Sequence, residues 1–125
     1  TGKFLVNNNI HAIKRDVTGY NRAKRRGRGL GNKISAPDLK AYMLQSYGQF
    51  TKNGNFNYGF GLLMTYYFFH LEDDRTSITK FLKALKSGKT GDAALKELRN
   101  GRSWDELEED IAKAWKREGV TITFR

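Results

Sequence analysis

Cysteine is absent from this 125-residue sequence, and proline occurs only once, at Pro37. Without cysteine the chain has no disulfide framework, no thiol nucleophile and no thiolate metal ligand. Long apolar runs are absent too. The longest candidate, residues 60–71, is interrupted by Gly61, Thr65 and His70 and is shorter than the roughly 18 residues of a membrane-spanning helix. We therefore expect a folded domain without a membrane span.

Targeting information is also lacking. No signal peptide pattern occurs, and the segment Thr1-Gly2-Lys3-Phe4 reads as a start in mid-protein. We expect a fragment of a larger protein, and the sequence leaves its compartment unknown.

The composition is that of a single folded domain, with 38% hydrophobic and 13% aromatic residues. A chain of this length buries roughly two thirds of its unfolded surface, which is enough for a core. The net charge of +10 is distributed unevenly. Residues 1–52 contain 11 Lys and Arg and two acids, whereas residues 53–125 contain 12 Lys and Arg and 11 acids. The excess positive charge is therefore local, and it could contact an anionic partner.

Hydrophobic periodicity predicts a mainly α fold: a compact bundle of about five helices around an apolar central helix at about 58–71. Short strands are predicted at both termini, at about 3–6 and 120–124. We expect the first helix to run from about Ile10 to Lys24, and proline to lie in the first turn of a helix that opens at residues 35–38. A capping box beginning at Ser103 predicts the last helix. The segments 25–33 and 48–57 are predicted to be a flexible basic loop and a polar loop.

No catalytic centre is recognisable in the sequence. His11 is not followed by the glutamate and second histidine of an H-E-x-x-H motif, and no serine lies in a G-x-S-x-G elbow. His70, beside Glu72, Asp73 and Asp74, could bind a metal with one carboxylate, but an ordinary histidine at a helix end explains the same pattern. We predict no metal site in this chain.

The basic segment 22–33 is the surface feature with the clearest functional content. Its candidate anion-binding residues are Arg22, Lys24, Arg25, Arg26, Arg28 and Lys33. Interleaved glycines could let backbone and guanidinium groups follow the phosphates of a nucleic acid or another polyanion, with Tyr20, Tyr42 and Tyr47 adding base stacking. The alternative is a solvated loop, or one that packs on a missing part of a larger protein. The phosphate-loop ending G-K-[S/T] does not follow residues 27–31.

A family resemblance emerges from the central helix onwards. The order is Phe56-Asn57-Tyr58-Gly59, then Tyr67-Phe68-Phe69-His70-Leu71, then the segment 81–88, a short Ala93-Ala94-Leu95 helix and a last helix with Trp104 and Trp115. This pattern resembles the C-terminal helical region of gluzincin-type metallopeptidase-like proteins, in particular a bacterial family of unknown function. Residues 2–4, 7–9 and 12–13 resemble the segment that those proteins have just beyond their zinc-ligand glutamate.

The resemblance implies a non-catalytic helical lobe that lines the substrate cleft of an upstream catalytic half. The H-E-x-x-H helix, the third ligand and the zinc would all belong to that half, so the whole protein would be a zinc-dependent peptidase and this chain alone would be inactive. Tyr58 is the candidate oxyanion or substrate contact, although a tyrosine that only packs at a helix start is the simpler interpretation. An extracytoplasmic location is implied by the resemblance alone. A basic polyanion-binding module and an interaction domain without chemistry are the alternatives.

Overall fold

The computed structural model describes residues 10–19, 23, 27–72 and 75–125. Within these ranges the chain is mainly helical, with seven α-helices and two short strands. The elements are α1 (Ile10–Thr18), β1 (Lys33–Ala36), α2 (Leu39–Leu44), α3 (Tyr47–Lys52), α4 (Gly54–Tyr66), α5 (Thr76–Lys86), α6 (Gly91–Arg99), α7 (Trp104–Arg117) and β2 (Thr121–Phe124). A π-helical segment, Tyr67–Leu71, continues α4. The prediction of a mainly helical fold is confirmed, although the described residues form seven α-helices where about five were predicted. None of the described helices is long and apolar enough to cross a membrane.

The central helix consists of α4 and the π-helical segment, and it starts four residues earlier than predicted, at Gly54. Its core positions are deeply buried, with Phe60 and Leu63 fully inaccessible to solvent. The buried Trp115 of α7 donates its indole N–H to the Leu63 carbonyl at 3.1 Å. This hydrogen bond satisfies a polar group that would otherwise be unpaired inside the core.

The predicted polar loop at 48–57 is wrong, because these residues form most of α3 and the start of α4. A capping box explains the helix: the Gln49 amide donates to Ser46 Oγ at 3.2 Å, and the Ser46 amide donates to Gln49 Oε1 at 3.0 Å. Two amides at the helix start are thereby satisfied by neighbouring side chains. Gln49 at the third helical position was the overlooked signal.

The sheet is two-stranded and parallel, and Ile34 pairs with Ile122 while Ala36 pairs with Phe124. The predicted C-terminal strand is confirmed, whereas the predicted strand at 3–6 lies outside the described residues. The partner strand β1 lies where we predicted the end of the basic loop (25–33) and the start of a helix (35–38). These residues form a strand because every second side chain, Ile34 and Ala36, is buried. Pro37 therefore precedes the helix α2 and does not lie in its first turn. Asp38 caps α2 by accepting from the Ala41 amide at 3.1 Å.

The first helix ends at Thr18, six residues before the predicted end at Lys24. Four consecutive amides, those of residues 28–31, donate to carbonyls of residues 16–19 at 2.6–3.0 Å. Gly27, Gly29 and Gly31 have positive φ angles, which glycine adopts without the strain that a Cβ brings. Residues 27–31 are therefore fixed against the end of α1, in contrast to the flexible loop that was predicted.

The C-terminal helices follow the predicted pattern closely. The Ser103 capping box is present, with the Glu106 amide donating to Ser103 Oγ at 3.0 Å, and α6 ends at Asn100 in the left-handed conformation. The N-cap of α5 is Arg75, in the left-handed conformation. Leu82 and Leu85 in the amphipathic stripe of α5 remain exposed, at 39% and 43%, so this stripe is only partly covered.

Arg102 joins the central helix to α5 and α7. Its two terminal nitrogens donate to Glu72 Oε2 at 2.9 Å, Ser77 Oγ at 2.8 Å, Asp110 Oδ2 at 3.0 Å and Tyr67 Oη at 3.3 Å. Its Nε donates to the Arg99 carbonyl at 2.8 Å. All five N–H groups of a guanidinium are thereby used.

We expect the Arg102→Met variant to lose about 2–4 kcal/mol of unfolding free energy, because two carboxylates and two hydroxyls lose their shared donor in a mostly buried site. Urea denaturation measures the change. Lys113→Met is the matched control, since it removes the 2.8 Å ion pair with Glu109 on the solvent-exposed surface of α7. Exposed pairs of this kind stabilise little. Equal stability of the Arg102→Met variant and the control would contradict a structural role for Arg102.

Candidate functional site

Two of the candidate residues from the sequence meet in the structure. The Arg28 guanidinium lies over the Tyr58 ring, 5.6 Å from its centroid, a distance at which cation and ring attract each other. The other neighbour of the Tyr58 ring is Phe50, in an edge-to-face contact with 4.9 Å between centroids. Tyr58 is nevertheless 50% exposed. The site therefore combines a cation and an accessible phenol on the surface of α4.

The position of Arg28 depends on close contact between its loop and α4. Asn55 Nδ2 donates to the Arg28 carbonyl at 2.7 Å. A Cβ at Gly59 would lie only 2.9 Å from Leu30 Cδ1 and 3.2 Å from Arg28 Cγ. Glycine at this position of the helix therefore lets the loop lie directly on α4.

The other basic candidates do not join this pair in the described structure. Lys33 lies exposed at the beginning of β1, and Arg22, Lys24, Arg25 and Arg26 lie outside the described residues. The amides of residues 28–31 already donate to the end of α1, so a phosphate bound at this loop would have to be contacted by side chains. Polyanion binding through the basic segment 22–33 stays a prediction.

Tyr42 serves packing in this structure. Its hydroxyl donates to the Asn57 carbonyl at 2.7 Å, and its ring packs edge-on against Phe60, 4.9 Å between centroids. Burial raises the pKa of Tyr42 to about 12. Tyr20 and the side chain of Tyr47, the other predicted stacking residues, lie outside what the structure describes.

An open apolar groove of about 340 Å³ lies between α2, α4 with its π-helical segment, α5 and α6. It is lined by Tyr42, Met43, Gly61, Met64, Thr65, Phe68, Phe69, Ile78, Phe81, Leu95 and Leu98. Of the described residues, none with a charged side chain belongs to this lining. Leu62 and Leu82, which follow groove residues directly in the sequence, are about 40% exposed and extend the apolar surface.

Sequence analysis missed this groove because Gly61 and Thr65 were interpreted as interruptions of an apolar run. Spaced by four residues, they lie on one face of α4. A Cβ at Gly61 would be 3.0 Å from the Tyr42 hydroxyl, so glycine here allows α2 to approach α4. This pair of small residues was the available signal that one face of the central helix is open.

Within the described part of the chain, neither histidine belongs to a cluster of metal ligands. His11 is exposed, and the half-buried His70 packs on Tyr66 with 4.7 Å between ring centroids. Burial, together with the nearby charge of Arg75, lowers the pKa of His70. Glu72 forms an ion pair with Arg102 at 2.9 Å, while Asp73 and Asp74 lie outside the described residues. Among the described residues, no group of three His, Asp or Glu side chains is arranged to hold a metal ion.

Comparison with known proteins adds no relative: no family model matches the sequence, and neither a curated protein nor a solved structure matches it.

Two tyrosines with raised pKa values, the half-buried Tyr42 and the buried Tyr67, make the stability of the protein sensitive to alkaline pH. Burial raises the pKa of Tyr67 to about 12, although the hydrogen bond from Arg102 opposes this effect, and Tyr42 has the same raised value. A folded-state pKa above the unfolded value near 10 favours the folded state below pH 10. This contribution is lost as the pH rises from 10 to 12.

We therefore expect the Tyr67→Phe variant to lose less unfolding free energy than the wild type between pH 10 and pH 12, because phenylalanine cannot ionise. Urea denaturation at both pH values measures the two changes. An absorbance titration of the folded protein at 295 nm should also show one late-titrating tyrosine fewer. An identical pH dependence in the variant and the wild type would contradict the assignment.

Proposed function

We propose that this chain is a non-catalytic helical lobe of a zinc metallopeptidase-like protein, and that it lines the substrate cleft of an upstream catalytic half. The apolar groove is the observation that carries the proposal. An exposed apolar groove can receive large apolar side chains from the surface of another protein. A lobe that belongs to a larger enzyme needs such a surface, because it must remain attached to the catalytic half.

The rims of the groove define what can bind there. Met43 on one side and Phe81 on the other are half-buried, and the small residues Gly61 and Thr65 lie between them. This shape suits large apolar side chains projecting from the partner surface. Since the described residues that line the groove carry no charge, a partner segment of low charge fits best.

Docking at the groove would also give Tyr58 a role. By helical spacing, Tyr58 lies on the same face of α4 as Leu62 and Thr65, although its ring contacts Arg28 and Phe50 and does not line the groove. Its exposed phenol could then donate a hydrogen bond to the substrate or to the oxyanion of the transition state. Zinc-activated water in the upstream half would supply the hydrolytic chemistry, and this chain by itself would be inactive.

Introduction of a negative charge into the groove tests the proposal. We expect Thr65→Glu to weaken the association of residues 1–125 with the separately expressed catalytic half at least about tenfold, because a buried unpaired carboxylate is strongly unfavourable. Isothermal titration calorimetry measures the dissociation constant. The replaced side chain is small, so little core packing is removed.

Leu85→Glu is the matched control, since it places the same charge on an exposed apolar residue outside the groove lining. Circular dichroism establishes that both variants are folded. Equal affinities of the Thr65→Glu variant and the wild type would overturn the groove as the docking face. An upstream gene segment that encodes no H-E-x-x-H helix would overturn the peptidase assignment itself.

A further inference from the structure

A second cleft, separate from the apolar groove, lies where α5 meets the turn between α6 and α7. It has a volume of about 360 Å³. We call it the basic cleft. It is lined by Lys80, Lys96, Glu97, Arg99, Asn100, Gly101, Arg102 and Ser103. Four of these side chains are cationic, and Glu97 contributes the one carboxylate.

Three of the four cations form no ion pair with a described residue, although Glu97 in the same lining offsets part of their charge. Arg102 forms ion pairs with Glu72 and Asp110. For Lys80, Lys96 and Arg99, no carboxylate of the described residues lies within 4.0 Å. Such a concentration of positive charge in a concave site attracts anions, because the walls of a cleft focus the field.

Arg99 holds its guanidinium at one end of the basic cleft. The guanidinium lies 5.3 Å from the centroid of the Trp104 ring, and Nη1 donates to the Arg102 carbonyl at 3.1 Å. Its Nε is buried and has no hydrogen-bond partner among the described residues, so this nitrogen is closed to an ion in the cleft. An anion would be contacted by the terminal nitrogens of the guanidinium.

Lys80 is positioned for the same role. Its Nζ donates to Asn100 Oδ1 at 2.7 Å, which places the ammonium group at the turn that closes the cleft. An adjoining cleft of about 270 Å³ shares Lys80 and is also lined by Lys83 and Lys89. Positive charge therefore continues along α5, away from the Trp104 end of the site.

We propose that the basic cleft binds a phosphate group, as inorganic phosphate or as a phosphate monoester, through Lys80, Lys96 and Arg99. Three cations around one cavity suit a dianion better than a monovalent carboxylate. The planar guanidinium adds the paired N–H donors that phosphate oxygens accept. This inference is independent of the apolar groove and of the proposed peptidase assignment.

Titration of residues 1–125 with inorganic phosphate and with glycerol 3-phosphate, at constant ionic strength, tests the proposal. Two-dimensional NMR should show saturable shifts at the amides of residues 96–103. We expect the Lys80→Gln/Lys96→Gln variant to bind both anions about tenfold or more weakly, because it loses two charged donors.

The Lys86→Gln/Lys116→Gln variant is the matched control. It removes the same charge from exposed lysines outside both clefts, and it should bind as the wild type does. Equal weakening in the two double variants would show diffuse electrostatic attraction and overturn the proposal. Absence of saturable binding at millimolar phosphate would overturn it as well, as would binding of long polyphosphate alone.

Binding to lipid vesicles distinguishes a lipid headgroup from a soluble phosphate monoester as the ligand. Retention on vesicles that contain phosphatidic acid, with loss in the Lys80→Gln/Lys96→Gln variant, would support a lipid headgroup as the ligand. Binding of glycerol 3-phosphate without retention on these vesicles would support a soluble monoester.

Discussion

The Arg102 guanidinium is the contact on which the arrangement of the C-terminal half depends. It binds Tyr67 in the central helix, Glu72 at the end of that helix, Ser77 of α5 and Asp110 of α7. Burial by itself would lower the pKa of Arg102, but its hydrogen bonds to Asp110, Tyr67 and Glu72 outweigh this effect and raise the pKa. The cation therefore stays charged, and its partners stay in place.

The π-helical segment makes this contact possible. Its hydrogen bonds join residues five apart, as in the 2.9 Å bond from the Glu72 amide to the Tyr67 carbonyl, so these two residues come to lie on the same face. Both side chains then reach one guanidinium. Because Arg102 also binds Ser77, α5 is fixed against α6 and the central helix. The apolar groove lies between α5 and α2. By holding α5 in place, the Arg102 contact therefore also shapes the proposed docking face.

Sequence patterns predicted most of the helices because their signals are local. The capping box at Ser103, the glycine that follows Asn100 and the apolar spacing of α5 and α7 each act within a few residues. The parallel pairing of β1 with β2 was missed because it joins residues 88 positions apart. The Arg28–Tyr58 contact was missed for the same reason, since it depends on elements that meet only in the folded chain. The groove was missed because Gly61 and Thr65 were interpreted as interruptions of an apolar run. Sequence analysis did single out Arg28 and Tyr58, although for separate roles.

The central claim is that the apolar groove is the face covered by a catalytic half. Hydrogen–deuterium exchange tests this claim most directly. Exchange would be compared between residues 1–125 alone and the protein encoded by the complete gene. The account predicts slower exchange in the larger protein at the amides of residues 42–44, 61–65 and 78–82, with little change along α7. Equal exchange at the groove in both proteins, or protection confined to other surfaces, would contradict it.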